Sequence, residues 1–302
     1  MRPIFGSNKI RAWKTYLVGL FLRMLRFLCC DFELRLSGDM DKIRATKNRK
    51  SIYLQNHQTE MDWLYAQYIY QAFGKEGCFS AIMKGSLSSI PVIGYAIRDV
   101  NMCFLDRNWE KDRHNLDVFI ENFISAASPI SVLLCPEGTT LTQETYERSQ
   151  RYAKKVDRPC LEHLLLPRST GLAYLVKNLA DETKRSGEEF YIYDTMMQFD
   201  GYRGEICDNH YHRSRDLDFP TMLSTLYGAL LRKRIVCHLH VRVVPVSELA
   251  EPDTPLEEVV KRVEKWLDAS WVEKEAQMDY FIEHQTFTED WNNNLVGGGR
   301  SE

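Results

Sequence analysis

A histidine and an aspartate, His57 and Asp62, have residue types and a spacing suited to acid–base chemistry. On a continuous helix, two side chains five residues apart point about 140° apart, so the pair can meet only if His57 lies in a turn before the helix. The sequence allows this, because the pair follows a predicted strand and opens a predicted helix. An aspartate bonded to one imidazole nitrogen fixes the tautomer, and the other nitrogen can then take a proton from a hydroxyl group.

The chain offers no obvious nucleophile to complete a serine-type triad. It contains no G-x-S-x-G sequence, so the hydroxyl group that His57 activates can belong to a substrate. The spacing alone is weak evidence, since a histidine and an aspartate five residues apart occur by chance about 0.5 times in a chain of this composition.

A second motif, Pro136-Glu137-Gly138-Thr139, follows the apolar run from Ile130 to Cys135. This string is expected by chance only about 0.002 times, so the two motifs together are much stronger evidence than either alone. A glycine directly after a strand lets a ligand or another backbone approach closely, and Glu137 places a carboxyl group beside it. The alternative interpretation is an ordinary exposed turn with an acidic residue.

Short apolar runs alternate with longer helical patterns after residue 50, which predicts an α/β domain with a mixed central sheet flanked by helices. Strands are predicted at Ser51 to Gln55, Cys78 to Met83, Met102 to Leu105, Ile130 to Cys135, Glu189 to Phe199 and Ile235 to Pro245. Helices are predicted at Met61 to Phe73, Trp109 to Ala126, Thr142 to Val156, Thr170 to Arg185 and Leu256 to Met278.

The stretch from Tyr16 to Cys30 predicts an amphipathic helix that lies on a membrane surface. Arg23 and Arg26 fall on one side and leave a wide apolar arc, but the run is shorter than the roughly 18 apolar residues of a spanning helix. The alternative is a helix that covers the core of the domain. We therefore expect three parts: residues 1–50, a membrane-associated helix and basic connector; 51–249, the α/β domain; and 250–302, a C-terminal helix and polar tail.

Composition excludes several classes of function. The net charge of −3, from 39 basic and 42 acidic residues, provides no overall basic field, so we expect no nucleic acid partner. The eight cysteines have no metal-binding spacing, and we interpret them as reduced thiols in a cytosol-facing protein. His238 and His240 lack a suitably spaced acidic or thiol partner, so no metal site is predicted. The charged helix from Glu257 to Glu275 is interpreted as a solvated face.

Taken together, the motifs resemble those of the PlsC-type glycerolipid acyltransferases, the lysophospholipid acyltransferase family. Three further family motifs are matched in family order: Lys84, Leu87, Pro91 and Gly94; Phe104 to Arg107; and Leu166 to Arg168. The resemblance covers roughly residues 51–249. It is greatest to the eukaryotic branch, which holds lysocardiolipin, lysophosphatidylinositol and lysophosphatidate acyltransferases.

The resemblance implies a glycerolipid acyltransferase-like fold and an enzyme that transfers a fatty acyl chain from acyl-CoA to a hydroxyl group of a lysophospholipid. The donor substrate would be acyl-CoA, and we expect no bound cofactor and no metal. His57 would be the general base and Asp62 would orient it. Binding of the acceptor is implied for Arg107, Glu137 and Gly138, and we also expect Lys84, Thr139 and Arg168 to take part in substrate binding.

One position departs from the family pattern. Many members have arginine where this chain has Thr140, and Arg148, Arg151 or Arg168 could supply the missing cation.

Two other functions stay open. They are an acyl-CoA thioesterase, in which water replaces the lipid hydroxyl, and a noncatalytic lipid-binding protein of the same fold. For the transferase we expect a membrane-associated protein at the endoplasmic reticulum, with a mitochondrial membrane as the second choice.

Overall fold

The centre of the fold is a seven-stranded sheet formed by the residues that the computed structural model describes. Those residues are 31–59, 61–75, 77–85, 102–106, 109–204, 206 and 234–292. The strands are β1 (Asp31–Gly38), β2 (Ser51–Gln55), β3 (Phe79–Lys84), β4 (Cys103–Leu105), β5 (Ser131–Leu134), β6 (Tyr191–Phe199) and β7 (Arg234–Pro245). Their order across the sheet is β1-β7-β6-β2-β5-β3-β4.

The sheet is mixed: the five neighbouring strands from β6 to β4 are parallel to one another, and the other two strands run in the opposite direction. β2 pairs in parallel with β5 and β6, and β3 pairs in parallel with β4 and β5. β7 runs antiparallel to β6, and β1 runs parallel to β7. Strands β2 to β6 therefore all end at one edge of the sheet, here called the carboxyl edge, and all begin at the opposite amino edge.

Helices cover both faces of this sheet. They are α1 (Met40–Thr46), α2 (Asp62–Ala72), α3 (Trp109–Ser125), α4 (Gln143–Val156), α5 (Thr170–Ser186), α6 (Leu256–His284) and α7 (Glu289–Asn292). Neighbouring residues in a strand point to opposite faces, as Tyr193 and Asp194 of β6 do. Phe73, just after α2, packs against Tyr193, whereas Lys274 of α6 binds Asp194. The predicted α/β fold with a mixed central sheet flanked by helices is confirmed.

Helix α6 has two different faces, and only one of them matches the sequence analysis. Charged residues such as Glu257 and Lys265 are exposed, as expected for a solvated face. The opposite face is a buried stripe that repeats every three or four residues: Val259, Val263, Leu267, Ser270, Trp271, Lys274, Gln277, Met278 and Phe281. The interpretation as a solvated face was therefore incomplete, because it weighed the charges and not the apolar period between them.

Residues 31–50 form a strand and a helix that the sequence analysis does not predict. It places no strand before Ser51 and assigns residues 1–50 to a membrane-associated helix and a basic connector. β1 pairs with β7 along its whole length, and α1 follows. The signal was present, because Phe32, Leu34 and Leu36 alternate with polar residues and pack against the core. The helix predicted at 16–30 lies outside the described residues, and the three-part division of the chain stays a prediction.

The start of the expected polar tail also differs. Phe287 is buried, and α7 carries Trp291, whose ring stacks on His240 at 3.9 Å between centroids. Apolar contacts thus hold the chain against β7 as far as Trp291. Within the described part of the chain, no helix combines the length and the apolar character needed to cross a membrane.

Candidate active site

The carboxyl edge carries the histidine and the aspartate at the end of β2. Nδ1 of His57 lies 2.9 Å from Oδ2 of Asp62, which is the first residue of α2, and His57 lies in the turn before that helix. Only 2% of the Asp62 side chain is exposed, compared with 26% of the His57 side chain. The carboxylate is therefore enclosed by protein, while the imidazole reaches the surface.

The turn before α2 fixes the carboxylate of Asp62. The backbone N–H groups of Gln58 and Thr59 donate to Oδ2 at 2.9 and 3.3 Å, and the Thr59 hydroxyl donates to Oδ1 at 3.3 Å. Hydrogen bonds to an ionised carboxylate are stronger than neutral ones, and a helix N-terminus favours negative charge. These contacts hold the orientation of Asp62 and, through it, that of the imidazole ring.

Asn56 fixes the backbone from which His57 projects. Its side chain donates to the carbonyl oxygen of Met197 at 3.1 Å and accepts from the Met197 N–H at 2.9 Å. Met197 belongs to β6, so this side chain continues the β2–β6 pairing one residue beyond the last strand residue, Gln55. The position of His57 is thus set by the sheet as well as by the turn.

The second motif forms a turn at the end of β5, the strand next to β2. Glu137 points inward and is 3% exposed, and its carboxyl group accepts hydrogen bonds from the backbone N–H of His57 and from Nε1 of Trp271, the latter at 3.2 Å. Burial raises the pKa of Glu137 to about 8, against the opposing effects of the His57 charge and these hydrogen bonds. Glu137 therefore joins the two motifs through the backbone of His57.

Gly138 and Arg168 make a close contact beside this turn. Gly138 has φ +72°, a left-handed conformation that favours glycine. Nε of Arg168 lies 3.6 Å from the position that a Cβ atom on residue 138 would take, and the Arg168 N–H donates to the carbonyl oxygen of Pro136 at 2.8 Å. Thr139 follows, half-buried. Of the three arginines proposed to replace the cation missing at Thr140, the structure places Arg168 against the turn.

The remaining predicted cations follow neighbouring strands. Lys84 is the exposed last residue of β3 and is in register with Leu105 of β4. It lies at the carboxyl edge two strands from β2, a separation of about 10 Å. Arg107, two residues beyond Leu105, and the motif residues Leu87, Pro91 and Gly94 lie outside the described residues.

Helix α6 contributes residues that the sequence analysis missed. Nζ of Lys274 lies 3.8 Å from the centre of the Trp271 ring and 2.5 Å from Oδ1 of Asp194. Asp194 also accepts from the Ser270 hydroxyl and from Arg242 at 2.8 and 2.7 Å. Burial raises the pKa of Asp194, but the two cations outweigh it and hold the pKa below its usual value. The spacing of residues 271, 274 and 278 was the available signal, because it places them on one face of the helix.

The described histidines of β7 have partners other than a metal. Nε2 of His238 lies 2.7 Å from Oδ1 of Asp200, and Nδ1 of His240 lies 3.0 Å from the Ser37 hydroxyl oxygen. Burial lowers the pKa of His240 to about 4. Among the described residues, no group of three or more histidine, cysteine or acidic side chains is arranged to hold a metal ion.

Comparison with known proteins identifies the family. The family model described as Acyltransferase matches residues 38–194, and the model described as Acyltransferase C-terminus matches residues 228–296. The chain belongs to the acyltransferase family. The family predicted from the motifs is thereby confirmed, and the C-terminal model includes Trp271 and the rest of α6.

Three related acyltransferases show the extent of the similarity. An uncharacterised acyltransferase of Schizosaccharomyces pombe is 30% identical over 90% of this chain and 72% of its own length. Lysophosphatidylinositol acyltransferase 10 of Caenorhabditis elegans is 28% identical, over 94% of this chain and 66% of its own. The human 1-acyl-sn-glycerol-3-phosphate acyltransferase delta is 27% identical, over 93% and 66%. The chain thus spans about two thirds of the length of these relatives.

Proposed function

We propose that this acyltransferase esterifies a lysophospholipid with an acyl chain taken from acyl-CoA, with His57 as the general base. The observation that carries the proposal is the 2.9 Å contact between Nδ1 of His57 and Oδ2 of the buried Asp62, on a ring that reaches the surface. Two of the relatives support the acceptor class, since one is named for lysophosphatidylinositol and the other for 1-acylglycerol 3-phosphate.

The proposed reaction is a direct attack without an acyl-enzyme. His57 removes the proton of the acceptor hydroxyl as its oxygen forms a bond to the thioester carbon, and Asp62 stabilises the imidazolium ion. The carbon–sulfur bond then breaks, and coenzyme A leaves as a thiolate that takes up the proton from the imidazolium. The histidine returns to its neutral form without any covalent change in the protein.

Binding of the acceptor phosphate is proposed for cations at the carboxyl edge. The exposed Arg168 lies against the Glu137-Gly138-Thr139 turn, next to the loop of His57, and a guanidinium group makes paired, charge-assisted bonds to phosphate. Lys84 ends a strand at the same edge, and Arg107 follows the neighbouring strand in the sequence. Arg168 would supply the positive charge that Thr140 does not.

The location that we propose is a membrane surface facing the cytosol. The acceptor is itself a membrane lipid, and the stretch at 16–30 has the wide apolar arc and the arginines of an interfacial helix. The endoplasmic reticulum is the proposed compartment, with a mitochondrial membrane as the alternative.

The test is acyl transfer from labelled oleoyl-CoA to a panel of lysophosphatidate, lysophosphatidylinositol and lysocardiolipin, with His57→Ala compared with wild type. We expect a loss of about 10³-fold or more with little change in the thermal unfolding midpoint, because the base is removed and not the core. His284→Ala, at the exposed end of α6, is the matched control and should keep its activity.

Three results would contradict the proposal. Full activity in His57→Ala would show that His57 is not the general base. Release of coenzyme A without an acceptor, unaffected by added lysolipid, would indicate a thioesterase. Lysolipid binding by the wild type with neither transfer nor thioester cleavage would indicate a noncatalytic lipid-binding protein.

A further inference from the structure

Helix α6 touches both loops that form the candidate active site. Nε1 of Trp271 donates to Oε1 of Glu137 at 3.2 Å, and Nε2 of Gln58 donates to Sδ of Met278 at 3.8 Å. The two loops lie within the residues matched by the Acyltransferase model, and α6 lies within those matched by the Acyltransferase C-terminus model. The C-terminal segment therefore takes part in building the edge of the sheet at which His57 lies.

The contact from Trp271 reaches His57 through a single side chain. Glu137 accepts from the indole N–H and also from the backbone N–H of His57. Trp271 is fully buried and Glu137 nearly so, so neither group can exchange its partner for bulk water. The indole ring is held in turn by the Lys274 ammonium group, which lies over its face.

We propose that Trp271 is a positioning residue for His57 that acts through Glu137. This inference rests on the proposed function, because it requires His57 to be the base. Without the indole N–H, a buried carboxyl oxygen loses its donor, and the carboxyl group is free to turn away from the His57 backbone. A small displacement of a catalytic base is costly to rate, since a shift of about 1 Å can lower it by about 10²-fold.

The inference also changes the expected role of Glu137. The family resemblance implies that Glu137 binds the acceptor, which predicts that its loss raises KM for the lysophospholipid. A carboxyl group that is buried and bonded to the His57 backbone would instead affect kcat. The two roles of Glu137 therefore differ in the kinetic constant that changes.

The first test compares Trp271→Phe with Val263→Ala. Both positions are fully buried on α6, but Val263 lies about 12 Å along the helix from Trp271. We expect both variants to lower the unfolding midpoint, and only Trp271→Phe to lower kcat, by about 10-fold, with KM for both substrates unchanged. Equal kcat values in the two variants would overturn the proposal, because Trp271 would then act only as a core residue.

The second test uses Glu137→Met, which is of similar size but removes both acceptor oxygens, alone and combined with Trp271→Phe. We expect a lower kcat with unchanged KM. The kcat of the double variant should be no lower than that of the less active single variant, because both changes break one chain of contacts. Multiplied effects, or a rise in KM for the lysophospholipid alone, would overturn the proposal. If Trp271→Phe fails to fold, the kcat and KM values of Glu137→Met decide the matter.

These results are distinguishable from a failure of the proposed function. An active His57→Ala variant would show that His57 is not the base and would contradict the proposed function, whatever the kcat of Trp271→Phe. An inactive His57→Ala variant, together with unchanged kcat in Trp271→Phe, would overturn the role of Trp271 and leave the base in place.

Discussion

The two edges of the parallel strands each hold an ionisable group among hydrogen-bonding partners, but the two groups differ in access to solvent. At the amino edge, Nζ of Lys75 donates to the Arg49 carbonyl oxygen and the Ser51 hydroxyl at 2.8 Å each, and to the Ser131 hydroxyl at 3.3 Å. Lys75 is 1% exposed, and both serines are fully buried. At the carboxyl edge, the imidazole of His57 is partly exposed.

The comparison shows that access distinguishes a candidate catalytic group from a structural one of similar chemistry. A lysine beside two serines has the residue types of a base and a nucleophile. However, Lys75 directs its hydrogen bonds to protein atoms that join the starts of β2 and β5, and no substrate can reach it. Its cluster therefore stabilises the strands, whereas the His57 ring contacts Asp62 and also reaches the surface.

The largest expected difference between the edges is in turnover. Asp62→Asn should lower kcat by about 10³-fold with little effect on KM, because the amide neither stabilises the imidazolium nor selects the required tautomer. Lys75→Met, the matched change at the amino edge, should keep kcat within about twofold. Steady-state kinetics with acyl-CoA and lysophospholipid measure both. Similar losses of kcat in the two variants would show that the edges are not functionally distinct.

Glu137 should give the carboxyl edge a dependence of stability on pH. Its pKa is raised by burial from 4.5 to about 8, so the folded state binds more protons than the unfolded state between those values. Stability therefore falls as pH rises through that window, by on the order of 4 kcal/mol, and Glu137→Gln should remove this fall. Urea unfolding of both proteins from pH 5 to pH 8 measures it. Parallel curves for the two proteins would contradict a buried, protonated Glu137.

Much of the fold could be predicted from the sequence, because the buried strands and amphipathic helices have strong local patterns. The strands and helices predicted after residue 50 agree with the structure to within a few residues, apart from the longer C-terminal end of α6. β1 was missed although its residues alternate, because the sequence was interpreted up to Lys50 as a connector. Its partner β7 lies about 200 residues away in the chain, so the pairing has no local signal.

The candidate site divides in the same way. His57 and Asp62 could be placed together from the sequence because one turn connects them. Trp271 and Glu137 are 134 residues apart, and only the packing of α6 on the sheet brings them into contact. A lone tryptophan on a helix is ordinary core material in sequence terms, so its hydrogen bond to a motif residue could be found only in three dimensions.

Lys75 should give the amino edge a pH dependence of opposite sign. Burial lowers the pKa of Lys75 from 10.5 to about 8, so the unfolded state binds more protons between those values. Stability of the wild type relative to Lys75→Met should therefore rise with pH across this window, by on the order of 3 kcal/mol. Urea midpoints from pH 7.5 to pH 10 measure the difference. A constant difference would mean that the pKa of Lys75 is the same in the folded and unfolded states.

The smallest expected effect concerns a cation at each edge. Arg168→Met should raise KM for a phosphate-bearing lysophospholipid by about 10-fold and leave kcat nearly unchanged, because the exposed guanidinium would hold the acceptor but not the reacting atoms. Lys75→Met removes an equal charge at the amino edge and should leave KM unchanged, so it controls for net charge. KM for acyl-CoA serves as the internal reference. If KM for the donor rises instead of that for the acceptor, Arg168 binds the phosphates of coenzyme A, and the acceptor phosphate must be bound by other cations of the carboxyl edge.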